Sequence, residues 1–112
     1  MLDKVGAGLE RYMDAVAFRQ RTVASNIANA ETPRYHTRDV DFASEMSSAL
    51  DGRPLETIEP AGLPEKTDGN NVSLDREMRL LSENAIRFQI ASSLLKTQIR
   101  EVKLAIQEGK SA

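Results

Sequence analysis

The sequence contains no cysteine and no tryptophan, and aromatic residues make up only 4% of its 112 positions. The absence of cysteine excludes a disulfide framework and a thiolate metal site. Apolar runs extend over only a few residues, so no segment is long enough for a transmembrane helix. The N-terminus lacks a basic region followed by an apolar block, and we therefore expect no cleavable secretory signal.

Proline is absent from both ends, since all four prolines lie between positions 33 and 64. The same part of the chain is acidic. Residues 39–68 carry eight acidic and two basic side chains, a net charge of −6, whereas residues 1–38 and 69–112 each carry +2. No dense Lys/Arg cluster is present, which leaves a nucleic-acid role with little support. The composition favours an irregular acidic middle between two ends of balanced charge.

Both ends show the periodicity of long amphipathic helices. In residues 1–31, apolar side chains recur in alternating three- and four-residue steps, with Arg19 and Asn26 as polar interruptions. In residues 73–109, Ser73 is the predicted N-cap and Gly109 the predicted stop. The second helix has a sustained heptad pattern that is typical of coiled coils. Its predicted seam contains Leu74, Met78, Leu81, Phe88, Leu95, Ile99, Val102 and Ile106.

We therefore predict an all-α fold, a single domain of residues 1–112 with the two long helices packed as an antiparallel, coiled-coil-like pair. Residues 32–72 form an irregular linker with a short helix or a small hairpin. The short helix would lie between positions 41 and 50, with one side formed by Phe42, Met46 and Ala49 or Leu50. Four apolar residues lie off the seam and should stay exposed, which predicts contacts with helices of other chains: Leu80, Ile90, Leu94 and Leu104.

Candidate catalytic residues are few. The single histidine, His36, is predicted to be an exposed loop residue, because a metal site needs more ligands than the sequence offers. Asp39 and Asp41 are spaced as an acid–base pair, but we expect them to be solvated charges. Residues 68–71 read DGNN and predict a turn before the second helix, since they lack the spacing of a calcium loop. We expect no catalytic activity, no metal and no cofactor.

Two asparagines, Asn26 and Asn29, stand three residues apart near the end of the first helix. They have two interpretations. One is that they cap the helix before Pro33, because the residue preceding a proline is disfavoured in the α region. The other is that they form a helix-to-helix contact, since asparagine at a seam position fixes register and partner.

Residues 24–35 read ASNIANAETPRY. They resemble the signature of the flagellar axial-protein family, the subunits of bacterial rod, hook and hook-associated segments, which usually reads ASNIANAxTPGY. Arg34 stands where glycine is usual, and arginine disfavours the positive φ that a type II turn requires. Further segments, DREM at 75–78, ENAIRFQ at 83–89 and QIR at 98–100, are similar to a short member of the proximal rod. The resemblance extends over nearly the whole chain.

The resemblance implies a non-enzymatic structural subunit of the proximal rod in the flagellar basal body. Its terminal helices would polymerise into a hollow, torque-transmitting shaft around the export channel. The implied partners are copies of itself, other rod subunits, the adaptor protein FliE and the export-gate proteins, without nucleic acid or a membrane span. The alternative is a soluble helical adaptor or chaperone of the flagellar type III export system.

The resemblance also implies roles for particular residues. The rod lies in the periplasm, and its subunits leave the cytoplasm through the flagellar type III system. Phe42 and Met46 match a short, weakly specific pattern for export-gate recognition. The junction motif is expected to contact neighbouring subunits, and it consists of Ser25, Asn26, Ile27, Asn29, Thr32, Pro33 and Tyr35.

Overall fold

The computed structural model describes residues 2–47 and 52–111, and in this part of the chain it contains three helices. Helix α1 spans Leu2–Ala28, α2 spans Phe42–Ser47 and α3 spans Leu74–Ser111. Extended pairing within the described residues is limited to one antiparallel bridge between Asp39 and Ile58. The predicted all-α fold is confirmed, and the middle segment contains both a short helix and a minimal hairpin contact.

The helix ends differ from the predicted boundaries by a few residues. Helix α1 ends at Ala28, and α3 begins directly after Ser73, whose Oγ accepts a hydrogen bond from the Arg76 amide at 3.3 Å. Ser73 is therefore the N-cap, as predicted. The predicted stop at Gly109 is wrong, because α3 continues to Ser111. A glycine inside an exposed helix costs only about 1 kcal/mol relative to alanine, and no proline follows to end the helix.

Helices α1 and α3 pack against each other in antiparallel orientation. Gly6, near the start of α1, lies beside Gln98 in the second half of α3. Gln20 donates a hydrogen bond to the carbonyl of Leu81 at 3.3 Å, and the end of α1 meets the start of α3. The molecule measures 71 × 27 × 18 Å, with a radius of gyration of 18.5 Å. A compact domain of this length would have a radius of gyration of about 13 Å, so the molecule is elongated.

The face of α3 that contacts α1 differs from the predicted seam. Leu81, Leu95 and Val102 lie on this face and are partly buried. The most buried residues of this face are Glu77, Asn84 and Ala91. Each of them directly precedes a position of the predicted heptad pattern, namely 78, 85 or 92. Because two of these residues are polar, counting apolar side chains did not find them.

Leu80 is a second correction on α3. It was expected to stay exposed, yet it is only 6% exposed because it lies beside the displaced contact line. Two apolar stripes of α3 remain uncovered. The first stripe is the exposed part of the predicted seam, formed by Leu74, Met78, Phe88, Ile99 and Ile106. The second stripe lies on another side of the helix and is formed by Ile86, Ile90, Leu94 and Leu104.

Helix α2 packs on the side of α1. The ring of Phe42 lies 6.0 Å from the ring of Tyr12, with the Arg19 guanidinium 5.2 Å from its centroid. Arg11 of α1 also pairs with Glu45 of α2 at 3.3 Å. These contacts fix the direction in which the middle segment leaves the helix pair. The predicted face of the short helix also included Ala49 and Leu50, which lie outside the described residues.

The helix junction as the candidate functional site

The end of α1 is closed by Asn29. Its backbone N–H and its side-chain Nδ2 both donate to the carbonyl of Ser25, at 3.1 and 2.8 Å. The hydroxyl of Thr32 donates to Asn29 Oδ1 at 3.0 Å. The first two bonds supply donors to the Ser25 carbonyl, one of the last four carbonyls of α1, which have no partner within the helix itself. For Asn29, the capping interpretation describes the observed geometry.

Directly after this cap, the chain reverses in a tight turn. The Tyr35 amide donates to the Thr32 carbonyl at 3.2 Å, with Pro33 and Arg34 at the two central positions. Arg34 has φ = +64°, the left-handed conformation that glycine adopts most readily. The turn therefore forms with an arginine in the left-handed region, although glycine would adopt that conformation at a lower cost. The Arg34 amide donates to the Asp68 carbonyl at 2.9 Å, which holds the turn in place.

Asn26 lies at the centre of the junction and is fully buried. Its Nδ2 donates to the Arg38 carbonyl at 2.8 Å and to Glu77 Oε2 at 3.0 Å. Its Oδ1 accepts the Tyr35 hydroxyl at 3.0 Å and the Arg38 amide at 3.1 Å. All four hydrogen-bonding positions of the amide are used within the chain. Asn26 therefore ties α1 to the segment after the turn and to α3, and it has no exposed surface for a neighbouring subunit.

A network of two acids and two arginines continues from Asn26. Arg19 of α1 binds both oxygens of Asp39, with Nε–Oδ1 at 2.7 Å and Nη2–Oδ2 at 3.0 Å. Arg76 of α3 donates to Asp39 Oδ2 and also to Glu77 Oε1, the latter at 2.8 Å. Glu77 is fully buried, and its second oxygen accepts the bond from Asn26. The two positive and two negative charges balance, so no charge in this network is buried without a partner.

The protonation of Asp39 follows from these contacts. Burial alone would raise the pKa of this carboxyl, because water no longer stabilises its charge. Hydrogen bonds from Arg19, the Val40 amide and Arg76 outweigh burial and hold the pKa of Asp39 below its ordinary value. Asp39 is therefore an ionised structural group that links α1 to α3. The prediction that it is a solvated charge is wrong, whereas Asp41 is exposed and accepts the Ser44 amide at 3.2 Å.

The predicted turn before α3 also fastens the junction from the outside. Asn70 is fully buried, and its Nδ2 donates to the carbonyls of Asn29 and Thr32, both at 2.9 Å. Asn71 Oδ1 accepts the Thr37 amide at 2.6 Å. These bonds join the capped end of α1 and the segment after the turn to the residues just before α3. The motif at 24–35 is thus only one half of a site that residues 70–77 complete.

The remaining predicted residues lie around this centre. In the junction motif, Ser25, Thr32 and Pro33 are exposed, whereas Ile27 and Tyr35 are half-buried. They form the outer surface of the junction, where a neighbour would be able to reach them. Phe42 and Met46 are half-buried on α2, nine and thirteen residues after Pro33, and the ring of Phe42 contacts α1.

His36 lies between two glutamates at the surface. Its Nε2 is 3.0 Å from Glu65 Oε1, and its Nδ1 is 3.8 Å from Glu59 Oε2. Its side chain is 38% exposed, so the prediction of an exposed loop residue holds in part. Among residues 2–47 and 52–111, no group of three or more histidine, cysteine, aspartate or glutamate side chains is placed to hold a metal ion.

Sequence reasoning missed most of the charged network. Arg19 and Asn26 were visible as polar positions in an apolar seam, and that signal marks both of them as partners of other polar groups. Asp39 and Arg76 carried no such signal, because Asp39 is 20 residues from Arg19 and 37 from Arg76. Glu77 lies in the first turn of α3, where the helix dipole alone explains an acid. Only the fold brings these residues together.

The geometry defines a class of protein. A buried, fully hydrogen-bonded junction fixes the two long helices, and the helices then present uncovered apolar stripes along an elongated body. Such a molecule has the properties of a structural subunit that packs with other helices in a larger assembly.

Comparison with known proteins identifies the assembly. Residues 13–36 match the family described as flagella basal body rod protein. The chain is 34% identical to the flagellar basal body rod protein FlgB of Escherichia coli (strain K12), over 97% of this chain and 99% of the relative. It is 31% identical to FlgB of Salmonella typhimurium over the same shares, and 34% identical to FlgB of Cereibacter sphaeroides over 80% of the chain and 83% of the relative. The chain belongs to the FlgB family of flagellar basal body rod proteins.

The chain is accordingly a structural subunit of the flagellar basal body rod, and its partners include other rod subunits. The alternative of an export adaptor or chaperone is not favoured by these relatives. The family is structural rather than catalytic. No helix in residues 2–47 or 52–111 has both the length and the apolar character of a membrane span.

Proposed function

We propose that the chain forms the proximal part of the rod by packing α1 and α3 against the helices of neighbouring subunits. In this arrangement the helices line a hollow shaft around the export channel, and the shaft transmits motor torque. The middle segment, which leaves the helix pair at the junction, lies on the outer side. The subunit is periplasmic and reaches the rod through the flagellar type III system.

The observation that carries this proposal is the pair of apolar stripes on α3. Met78 in the first stripe is 61% exposed, and Ile90 and Leu94 in the second stripe are 55% and 54% exposed. Fully burying an exposed side chain of this kind contributes about 1.5–3 kcal/mol, so covering the half-exposed side chains of two stripes favours association. Because the stripes lie on different sides of one helix, each subunit offers two distinct faces. Distinct faces favour head-to-tail contacts, which build helical tubes rather than closed pairs.

The junction supports the same function in a different way. Torque passing along the shaft must not bend α1 away from α3. The network around Asn26 and Asp39 joins both helices and the middle segment through hydrogen bonds and ion pairs that are shielded from solvent. We propose that the exposed junction residues, Ser25, Thr32 and Pro33, contact the adjoining subunits, the adaptor FliE or the export gate.

For export, we propose that Phe42 and Met46 are recognised before the chain folds. Both are half-buried in the folded subunit, Phe42 against Tyr12 of α1, so we propose that the gate recognises them in the unfolded chain. This order fits a narrow channel, which admits an extended segment more easily than a packed helix pair.

The stripes are tested by Leu94→Asp, with Arg100→Asp as the matched control on the same helix. Leu94 is exposed in the single chain, so a charge there leaves the subunit's own fold intact but places an unpaired carboxylate in the proposed interface. We expect Leu94→Asp cells to lack assembled rods and to be non-motile, while Arg100→Asp cells swim normally. The measurement combines motility assays with immunoblots of purified basal bodies.

Normal swimming and normal basal bodies in the Leu94→Asp strain would contradict the proposal. Immunoblots of whole cells must show that both variants accumulate to the wild-type level. This comparison separates a defect of assembly from a defect of folding or stability.

A further inference from the structure

The aromatic ring of Phe42 is the point at which α2 contacts both long helices. On the side of α1, the ring lies 6.0 Å from the Tyr12 ring and 5.2 Å from the Arg19 guanidinium. On the side of α3, the Arg87 guanidinium lies 6.0 Å from the centre of the same ring. Among the described residues of α2, Phe42–Ser47, none is fully buried. A helix of six residues is too short to be stable by itself, so its position depends on contacts such as these.

Arg19 takes part in two contacts at once. Its Nε and Nη2 donate to the two oxygens of Asp39, at 2.7 and 3.0 Å, while its guanidinium carbon lies over the Phe42 ring. Two parallel hydrogen bonds fix both the place and the plane of a guanidinium group. An arginine without such bonds samples many rotamers, and holding it over a ring then costs conformational entropy. The carboxylate therefore keeps Arg19 in a position from which its charge attracts the face of the ring.

Helix α3 acts on the same carboxylate. Arg76 of α3 donates to Asp39 Oδ2, the oxygen that also accepts from Arg19 Nη2. Asp39 precedes Phe42 by three residues, so the group that α3 holds lies close to the start of α2 in the chain. Helix α3 thus reaches the Phe42 ring by two routes. One runs through Arg76, Asp39 and Arg19, and the other is the direct contact of Arg87.

We propose that Asp39 is a positioning residue for α2: by holding Arg19 over the Phe42 ring, it makes the docking of α2 depend on the closed ionic network between α1 and α3. The middle segment then keeps a fixed direction only while the two long helices are paired. All these groups belong to one chain, so the proposal is independent of the rod function. The alternative is that Arg19 packs on Phe42 without help from Asp39, in which case the two contacts are energetically independent.

The position of Arg19 is measured by NMR in the folded chain. An aromatic ring shifts the resonances of protons over its face, so the chemical shifts of the Arg19 side chain should differ between the wild type and Phe42→Leu. We expect this difference to fall by at least half when both proteins also carry Asp39→Asn, because asparagine has no charge and only one acceptor oxygen. If Asp39 merely stabilised the junction, the difference would keep its size.

Glu83→Gln is the matched control for the loss of an acid. Glu83 pairs with Arg79 on the surface of α3 at 3.9 Å, outside the network around Asp39. In the Glu83→Gln background, the chemical-shift difference between the wild type and Phe42→Leu should therefore keep its full size. An undiminished difference in the Asp39→Asn background would overturn the proposal.

Arg19→Lys tests the same proposal without changing the charge balance, and it applies even if Asp39→Asn fails to fold. Lysine keeps the positive charge, but it cannot bind both oxygens of Asp39 in the fork geometry of arginine. We expect the backbone-bonded amide of Glu45 in α2 to exchange about two- to fivefold faster, as the loss of a cation–π contact near the surface predicts. Arg21, whose guanidinium lies 5.8 Å from the Phe18 ring, provides the control, and Arg21→Lys should leave this rate unchanged. A wild-type exchange rate in Arg19→Lys would overturn the proposal.

Discussion

At the scale of single residues, Asn26 shows that the motif at residues 24–35 stabilises the fold of the chain itself. Its amide joins α1, the segment after the turn and α3 through four hydrogen bonds, and no part of it reaches the surface. The sequence revealed that Asn26 interrupts an apolar seam. It did not reveal the partners, because Glu77 lies 51 residues away. The motif therefore marks a position of structural importance whose chemistry only the fold explains.

Replacing Asn26 by alanine should destabilise the junction by about 2–3 kcal/mol, since Glu77, the Tyr35 hydroxyl and the Arg38 backbone each lose a buried partner. The measurement is hydrogen exchange at the Asp39 amide, which bonds to Ile58 and not to Asn26. Ser25→Ala is the control. That hydroxyl is exposed, and its distance of 3.5 Å from the Tyr35 hydroxyl is long for a hydrogen bond, so its loss should change hydrogen exchange little. Equal effects of the two substitutions would contradict the central role of Asn26.

Arg34→Gly should stabilise the junction by about 0.5–1 kcal/mol. The left-handed conformation of Arg34 costs a residue with a side chain about 1–2 kcal/mol, and glycine avoids this cost. Glycine also raises the entropy of the unfolded chain, which offsets part of the stabilisation. The same exchange measurement applies. Arg38→Gly, at an exposed arginine outside the left-handed region, should instead destabilise the chain. A loss of protection in Arg34→Gly would show that the arginine side chain makes a stabilising contact.

At the scale of elements, Asp39 connects the two long helices through Arg19 of α1 and Arg76 of α3. The helices themselves were predictable, because heptad periodicity and the cap at Ser73 are local signals. Their mutual rotation was not. The contact face of α3 includes Glu77 and Asn84, and polar residues enter a helix interface only when distant partners or special roles compensate them. Periodicity counted the apolar positions and thus combined three residues of the contact face, Leu81, Leu95 and Val102, with the residues of the first stripe.

The lowered pKa of Asp39 predicts how the junction responds to acid. In the unfolded chain this carboxyl titrates near its ordinary value of about 3.9. Because its pKa is lower in the folded chain, the ionised form contributes stability that is fully present above the unfolded pKa. This stability is lost as the pH falls through the lower, folded pKa. Thermal unfolding of the wild type and of Asp39→Asn should therefore differ most above about pH 5 and converge in stronger acid. A difference that does not change with pH would contradict this account.

At the scale of the whole molecule, the subunit has a well-connected junction and long, sparsely covered helices. Eleven large apolar side chains of the described residues are at least 40% exposed, and most of them lie on α3. A protein that worked alone would bury such a surface or lose it. The sequence predicted this excess through Ile90, Leu94 and Leu104, but it placed Leu80 among the exposed residues because the contact face was misjudged.

The Escherichia coli relative is longer than this chain. The alignment with the Escherichia coli protein spans 137 positions, more than the 112 residues of this chain, so that relative carries segments which this chain lacks. The alignment nevertheless covers 97% of this chain. The two long helices and the junction that joins them therefore lie almost wholly within the part of the chain that aligns with this relative.

The central claim is that the stripes of α3 are covered in the rod, and the accessibility of a single thiol tests it most directly. Leu94→Cys introduces the only cysteine in the chain, in the second stripe and at a position that is 54% exposed in the single subunit. A soluble maleimide should label it rapidly in the isolated chain and slowly in purified basal bodies, with the same variant serving as its own control. Equally rapid labelling in both states would contradict the claim that this stripe is a subunit interface.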